Sequence, residues 1–345
     1  MNKTFKILSI DGGGIKGLYT ATVLSHLEEA FGAPIGEHFD MICGTSTGGL
    51  IALALSKGLP AKELVSFYKE HGPLIFPAKR FLNGFRGLIR QIARNGKYDN
   101  TYLRKALGEV LGHTMMSEAG NLLCIPAFNL TSGRPRVFKF PHPEGGNYAS
   151  KYGSMMDAAL ATSAAPTYFP ATFSDKRYYA DGGVWANNPT LCGIQEALEY
   201  FVGGGKLLKG QNAWIQFNDY AVLSIACLPQ KNGWAHSGNA SDLKMAFLDW
   251  KDKLFETSLD GQSHFADNFA QKLVNQTKAP GAYHRIRGPK DISAAQQALL
   301  TLDNASAKSL QALEQLGDEV GDDYRTRQRH LVAPFFHQKK AYQTK

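Results

Sequence analysis

The chain begins with a short apolar strand, three consecutive glycines and a helix, and this combination restricts what it can fold into. FKILSI (5–10) has the composition of a buried strand, and residues 16–31 carry apolar side chains at helical spacing. Between them, Gly12, Gly14 and Gly17 spell G-x-G-x-x-G, the pattern of dinucleotide-binding loops. A strand that enters a helix through a tight glycine turn favours an α/β architecture.

Predicted strands and helices continue to alternate along the chain. One strand is expected in FDMICG, two around a Ser-Gly turn in LLCIPAFNLTSGRPRVFKF, and one entering a glycine turn in RYYADGG. YAVLSIACLP is the final convincing core strand, and helices lie between the strands. This alternation predicts a largely parallel sheet covered on both faces. The segments 242–275 and 303–330 read as long amphipathic helices that pack on this core. We therefore expect one domain over 1–345, with a core at about 5–230 and a mainly helical extension at about 231–345.

The end of the second predicted strand argues against a dinucleotide site. That site needs an acidic residue about 20 positions after the glycines, at the end of the second strand, to bind a ribose hydroxyl. Here the strand ends in GTSTGG, and Asp40 lies near its beginning. An oxidoreductase thus remains only a minor alternative.

Gly44-Thr45-Ser46-Thr47-Gly48 is instead a G-x-S-x-G motif between a predicted strand and a predicted helix. This is the context in which the motif exposes a nucleophilic serine at a sharp turn. The small residues Gly44 and Gly48 permit that turn. Ser46 is therefore the candidate nucleophile.

A nucleophilic serine also needs hydrogen-bond donors for an oxyanion, and a base. The loop Asp11-Gly12-Gly13-Gly14 leaves the first strand at the same sheet edge, so its amides can converge on a developing negative charge. Asp181, followed by Gly182 and Gly183, ends a predicted strand and is the candidate base; the alternative is that it only caps the turn. Three histidines, each more typical of surface or packing roles, are formal alternatives for the base: His236, His264 and His284.

The motifs DGGGIKG, GTSTGG, ATSAAPTYFP and DGG, in this order over roughly residues 5–200, resemble those of the patatin-like phospholipases. The resemblance implies a three-layer α/β/α fold and a Ser46–Asp181 dyad that cleaves fatty acyl esters of glycerolipids through an acyl-enzyme. It also implies an oxyanion hole at Gly12, Gly13 and Gly14, and no metal. ATSAAPTYFP (161–170) would line the site, although core packing is the simpler interpretation for most of it.

Two departures from the family pattern stand out. Lys16 replaces the usual arginine, which keeps a cation but loses bidentate geometry. VLSIACLP lacks the Gly-Thr-Gly that many relatives carry there.

The chain length and the segment LDNASAKSLQALEQLGDEVGDDY are also similar to bacterial patatin effectors of cyclic-nucleotide anti-phage signalling. This second resemblance implies a cyclic dinucleotide activator and degradation of the cell's own membrane phospholipids. An unregulated general esterase or lipase, and a nucleotide-sensing or storage protein with a vestigial dyad, are the alternative functions.

The net charge of +8 is concentrated in residues 79–98, which contain six cations and no acid: Lys79, Arg80, Arg86, Arg90, Arg94 and Lys97. If this stretch is helical, Arg86, Arg90 and Arg94 share one face opposite an apolar face. It is then an ordinary surface helix, a lid or membrane-binding helix, or a contact for an anionic nucleotide. A phospholipid surface is the partner we expect, and DNA and RNA are not.

Composition supports a folded protein of the cytoplasm, with 43% hydrophobic and 20% charged residues. No stretch approaches 18 uncharged apolar residues, and the N-terminus lacks the features of a signal peptide. The four widely spaced cysteines are expected to be free thiols. We expect a cytoplasmic protein without a bound cofactor that lies peripherally at the inner membrane when active.

Overall fold

The computed structural model describes residues 3–77, 96–143, 153–203, 217–228, 247–277, 282–289 and 291–344. Within them, the strands are β1 Thr4–Ile10, β2 Met41–Gly44, β3 Leu122–Asn129, β4 Arg134–Lys139, β5 Thr172–Ser174, β6 Arg177–Asp181, β7 Asp219–Ile225 and β8 Tyr283–Ile286. The helices are α1 Gly17–Phe31, α2 Thr47–Ser56, α3 Ala61–Ile75, α4 Thr101–Leu111, α5 Met155–Thr162, α6 Gly183–Ala186, α7 Thr190–Tyr200, α8 Phe247–Thr277, α9 Ala294–Gln297, α10 Ala307–Thr326 and α11 Arg329–Phe336.

One sheet organises these elements in the order β5-β6-β3-β2-β1-β7-β8, with β4 paired to β3. The pairs β3-β2, β2-β1, β1-β7 and β7-β8 are parallel, whereas β4, β5 and β6 form antiparallel pairs. Phe5, Ile7, Leu8 and Ile10 of β1 are fully buried, as expected for a central strand covered on both faces. Helices lie on both sides of the sheet: α1 packs with α2, α3 and α10, and α7 packs against β1 and β2 beside α8. The expected α/β class, with a mostly parallel central sheet and a helical C-terminal region, is confirmed.

The expectation that YAVLSIACLP is the last core strand is wrong. β8 adds a parallel edge strand next to β7, with Val222 opposite Tyr283 and Ile225 opposite Ile286. Only four residues long, β8 is too short to show a clear alternation of apolar and polar side chains in the sequence.

The register at β3 places two strand ends opposite each other. β2 pairs with the first part of β3, where Cys43 lies opposite Cys124, and β6 pairs with its last part, where Asp181 lies opposite Ala127. Because β4 occupies the other edge of β3 from Cys124 to Asn129, β2 and β6 share one edge. β2 runs parallel to β3 and β6 antiparallel, so their carboxyl ends converge.

Candidate active site

Ser46 follows β2 in a strained turn. Its φ is +54° and its ψ is −125°, a left-handed conformation that a non-glycine residue adopts only when its surroundings enforce it. The turn packs tightly against the first strand, because a Cβ atom added at Gly48 would lie 2.6 Å from the carbonyl oxygen of Asp11. One added at Gly44 would overlap the backbone of Gly48. The sequence forms the predicted strand-to-helix turn because both positions are glycine.

A threonine from α5 fixes the backbone of this turn. The Ser46 amide donates a hydrogen bond of 2.9 Å to Thr162 Oγ1, whose hydroxyl donates to the carbonyl oxygen of Pro126. Sequence reasoning did not find this role for Thr162. The available signal was a buried hydroxyl in an alanine-rich helix, where an apolar residue would otherwise be expected.

The converging ends of β2 and β6 bring Ser46 and Asp181 together. The Ser46 side chain is hydrogen-bonded to the Asp181 carboxylate, and the Gly183 amide donates to Asp181 Oδ1 at 2.7 Å. Asp181 is 1% exposed, and its burial raises the pKa of its carboxyl to about 7, although both hydrogen bonds favour the charged form. Asp181 therefore changes protonation near neutral pH, which is the property of an effective general base.

The candidate histidines lie elsewhere. His264 is hydrogen-bonded to Asn268 on α8, and His284 is hydrogen-bonded to Tyr324, whereas His236 lies outside the described residues. Burial lowers the pKa of His284 to about 4. Among the described residues, the carboxylate of Asp181 is thus the group placed to accept the Ser46 proton.

The glycine loop lies beside Ser46, but its amides are not equivalent. Gly12 donates its N–H to the carbonyl oxygen of Asn187 at 3.0 Å, so the predicted role of Gly12 as an oxyanion donor conflicts with this structure. In the described part of the chain, the Gly13 and Gly14 amides have no such acceptor, and both residues line the same cleft as Ser46. Gly14 has a φ of +58°, which favours glycine. The Thr47 amide, at the start of α2, is a further donor that sequence reasoning did not consider.

The residues expected to support the site lie on both sides of the glycine loop. Gly183 contacts the Asp181 carboxylate, and Gly182 packs against the backbone of Pro126. The buried Lys16 ammonium instead donates to the carbonyl oxygen of Leu228 at 2.6 Å, on the side of the loop away from Ser46.

An apolar cleft lies at Ser46 and Asp181. Its walls are mostly aliphatic and aromatic side chains from α2, α3, α4 and α8, including Leu50, Phe67, Ile75, Leu103 and Phe255. Tyr168 and Phe169 of the 161–170 segment also line this cleft, and both are buried. These two residues therefore line the site and also pack in the core. The apolar lining suits a hydrocarbon chain.

A second, polar cleft lies on the other side of the glycine loop. Its lining residues include Asp11, Lys16, Asp267, Arg285 and Arg287. Asn187 borders both clefts, and in the described structure its side-chain oxygen, Oδ1, has no hydrogen-bond partner. The glycine loop therefore separates an apolar compartment from a charged one.

The remaining expectations concern the basic segment, the cysteines, metal ions and membrane-spanning helices. Arg86, Arg90 and Arg94 lie outside the described residues. All four cysteines are free, as expected. In the described ranges, no three His, Cys, Asp or Glu side chains gather in a way that could hold a metal ion, and no helix is long and apolar enough to span a membrane.

The fold and the strained serine turn, with a G-x-S-x-G motif between strand and helix of an α/β sheet, are the arrangement typical of serine hydrolases. A family model described as patatin-like phospholipase matches residues 8–191. The chain belongs to the patatin-like phospholipase family.

Its relatives include bacterial and plant proteins. A cGAMP-activated phospholipase of Pseudomonas aeruginosa is 32% identical over 343 residues, covering 99% of this chain and 93% of the relative. A cGAMP-activated phospholipase of Vibrio cholerae is 32% identical over 349 residues, covering 96% of this chain and 94% of the relative. Patatin-like protein 2 of Oryza sativa subsp. indica is 37% identical over 224 residues, covering 58% of this chain and 54% of the relative.

Proposed function

We propose that this protein is a serine lipid acyl hydrolase of phospholipase A type that releases fatty acids from membrane phospholipids. The observation that carries the proposal is the hydrogen bond between Ser46 and a carboxylate of pKa about 7, both of which line the apolar cleft. The family membership supports the same substrate class. The cleft would hold the acyl chain and place its ester carbonyl at Ser46.

The chemistry is an acyl transfer in two halves. Ser46 Oγ attacks the ester carbonyl carbon while its proton passes to Asp181, and the carbonyl oxygen becomes an oxyanion that the Gly13 and Gly14 amides stabilise. When the tetrahedral intermediate collapses, the bond to the glycerol oxygen breaks and Asp181 protonates that oxygen. Water then attacks the acyl-enzyme and gives a proton to Asp181; collapse releases the fatty acid, and the proton returns to Ser46.

We propose further that a cyclic dinucleotide activates the enzyme. Two relatives that share nearly their full length with this chain are named cGAMP-activated phospholipases. The alternatives are an unregulated esterase or lipase and a protein whose dyad is vestigial. We also propose that the chain forms one domain, since β8, α8 and α10 pack directly on the core. Because its proposed substrate is a membrane phospholipid, it would act peripherally at the inner membrane.

Fatty-acid release from phosphatidylglycerol vesicles, with and without a panel of cyclic dinucleotides, tests both proposals. We expect Ser46→Ala to lower the rate at least 10⁴-fold. Ser56→Ala is the matched control: its hydroxyl, buried at the other end of α2, donates to the Leu53 carbonyl oxygen, and the rate should stay within about twofold.

Full activity of Ser46→Ala and Asp181→Asn would show that the dyad assignment is wrong. Activity that is the same with every nucleotide and without any would refute the activation but leave the hydrolase proposal standing. A wild-type chain that is inert on lipid under all conditions would refute the hydrolase proposal.

A further inference from the structure

The loop that carries Gly13 and Gly14 is fixed on both sides by bonds to other parts of the chain. Before the two glycines, the Asp11 amide donates to Ile225 O at 3.1 Å and the Gly12 amide donates to Asn187 O at 3.0 Å. After them, the Ile15 amide donates to Leu302 O at 2.9 Å. Three successive glycines are conformationally free in isolation, so these external bonds determine where the Gly13 and Gly14 amides lie.

The Asp11 side chain, which is 2% exposed, makes further contacts that hold the loop in place. Arg285 on β8 makes a two-pronged contact with it: Nη1 donates to Asp11 Oδ1 at 3.1 Å and Nη2 donates to Oδ2. The Ser263 hydroxyl on α8 also donates to Oδ2, at 2.6 Å. A bidentate contact fixes the rotation of a carboxylate as well as its position, which a single donor does not do.

Arg285 is held in its turn by the elements packed around it. Its Nη1 donates to Ser224 Oγ on β7, its Nη2 donates to Ser263 Oγ at 3.1 Å, and its Nε lies 3.7 Å from Asp267 Oδ2. Burial alone would lower the pKa of Arg285, but Asp11 together with Tyr283 and Asp267 raises it, so the Arg285 side chain stays charged. The contact with Asp11 is therefore an ion pair buried inside the protein.

We propose that Arg285 is a positioning residue for the oxyanion site, acting through Asp11 to hold the Gly13 and Gly14 amides in place. This rests on the acyl-transfer function proposed above. Arg285 itself lines the polar cleft rather than the apolar one, so it does not contact the acyl ester. It also lies beyond residues 8–191, the part that the family model matches, so the catalytic loop depends on the C-terminal part of the chain.

The neighbouring Arg287 provides a matched control. It lies two residues further along, its side chain is 57% exposed, and it pairs with Asp267 at 2.7 Å rather than with Asp11. A general effect of removing a cation from this cleft would appear in both positions, whereas an effect through Asp11 would appear only at Arg285.

The test measures kcat and KM for a short soluble ester, together with the rate at which a fluorophosphonate inactivates Ser46. One oxyanion donor contributes about 10²–10³ in rate, so we expect Arg285→Gln to lower kcat by about 30–300-fold with KM within about threefold. Fluorophosphonate inactivation should slow in parallel, because the phosphonylated serine also places a charged oxygen at the amides. Arg287→Gln should keep both rates within about threefold.

A double-mutant cycle separates positioning from general damage. Asp11→Asn should reproduce the loss of Arg285→Gln, and the double variant should lose no more than either single one, since all three break the same link. If Arg285→Gln does not fold, Arg285→Lys keeps the charge without the two-pronged contact, and a roughly tenfold lower kcat is expected. A folded Arg285→Gln or Arg285→Lys with wild-type kcat, or a change confined to KM, would overturn the proposal. Activity retained in Ser46→Ala would instead refute the acyl-transfer function.

Discussion

Asp11 and Asp181 are two buried aspartates at the same edge of the sheet, with exposures of 2% and 1%. They lie on opposite sides of the glycine loop, and their partners differ. Asp11 meets the Arg285 guanidinium, whereas Asp181 meets a hydroxyl and one backbone amide. Asp11 is paired with a buried cation, whereas burial without such a cation raises the pKa of Asp181 to about 7. The difference in partner therefore separates an aspartate that holds backbone in place from one that can move a proton.

The clefts on the two sides of the glycine loop differ in the same way as the two aspartates. On the Asp181 side the walls are largely apolar, which excludes water, strengthens the effect of burial on the carboxyl pKa and suits a hydrocarbon chain. On the Asp11 side the walls carry charges that pair with one another, including Arg287 with Asp267. Four experiments test this division.

The largest effect is expected from the same substitution at the two aspartates. Asp181→Asn should lower the rate of ester hydrolysis by about 10³–10⁴-fold, because the base is lost. It should also raise the free energy of unfolding at pH 8 by up to about 4 kcal/mol, since the folded-state pKa is above the unfolded value. Asp11→Asn leaves Arg285 buried without its carboxylate and should lower that free energy by about 3 kcal/mol.

Chemical denaturation of both variants at pH 8 and pH 4 measures this contrast. The stabilisation by Asp181→Asn should shrink to about 0.5 kcal/mol at pH 4, because the wild-type carboxyl is then protonated when folded and about half protonated when unfolded. A destabilised Asp181→Asn at pH 8 would contradict the unpaired, high-pKa description of Asp181.

The second-largest effect is expected in the pH dependence of activity, which should follow the protonation of Asp181. Only the deprotonated carboxylate can accept the Ser46 proton, so kcat/KM for a soluble ester should fall about tenfold for each pH unit below about 7. The total loss between pH 7 and pH 5 would be about 50-fold. A rate that is flat from pH 5 to pH 8 would mean that a group of ordinary carboxyl pKa is the base.

A smaller effect is expected from narrowing the apolar cleft. Leu50 lines it on α2, one turn from Ser46, and is half-buried. Leu50→Trp should lower kcat/KM about tenfold for long acyl chains and leave a two-carbon acyl ester within about twofold, because only the long chain enters the cleft. Equal losses for the two esters would place the acyl chain elsewhere.

The smallest effect concerns an exposed ion pair between α3 and α10. Lys69 Nζ lies 2.9 Å from Glu314 Oε1, with side chains 47% and 31% exposed. Water screens this pair, so Lys69→Ala should change the free energy of unfolding by less than about 1 kcal/mol. A loss as large as that of Asp11→Asn would show that burial does not distinguish the two pairs.

Much of the chemistry could be predicted from local sequence. The strand before Ser46, the glycines at positions 44 and 48, and the Asp-Gly-Gly after β6 are all encoded within a few residues. Each gives a local backbone conformation, which short-range steric rules determine. The hydrogen bond between Ser46 and Asp181 could be proposed but not placed, because it depends on β2 and β6 sharing one edge of β3.

The residues that sequence reasoning missed are those whose role depends on distant contacts. Arg285 lies 274 positions from Asp11, on a strand of four residues. The Gly12 amide looks identical to those of Gly13 and Gly14 in the sequence, and the carbonyl of Asn187 alone distinguishes it. Such pairings arise from tertiary packing, which composition and periodicity do not encode.

The ion pair between Asp11 and Arg285 has a consequence for how relatives of this chain can diverge. A protein that exchanged its C-terminal third for that of a distant relative without a cation at the position of Arg285 would leave a carboxylate buried alone beneath its active site. Positions 11 and 285 should therefore change together or not at all. A library that recombines relatives near residue 200 should yield active chimaeras only when both partners of the pair come from compatible parents.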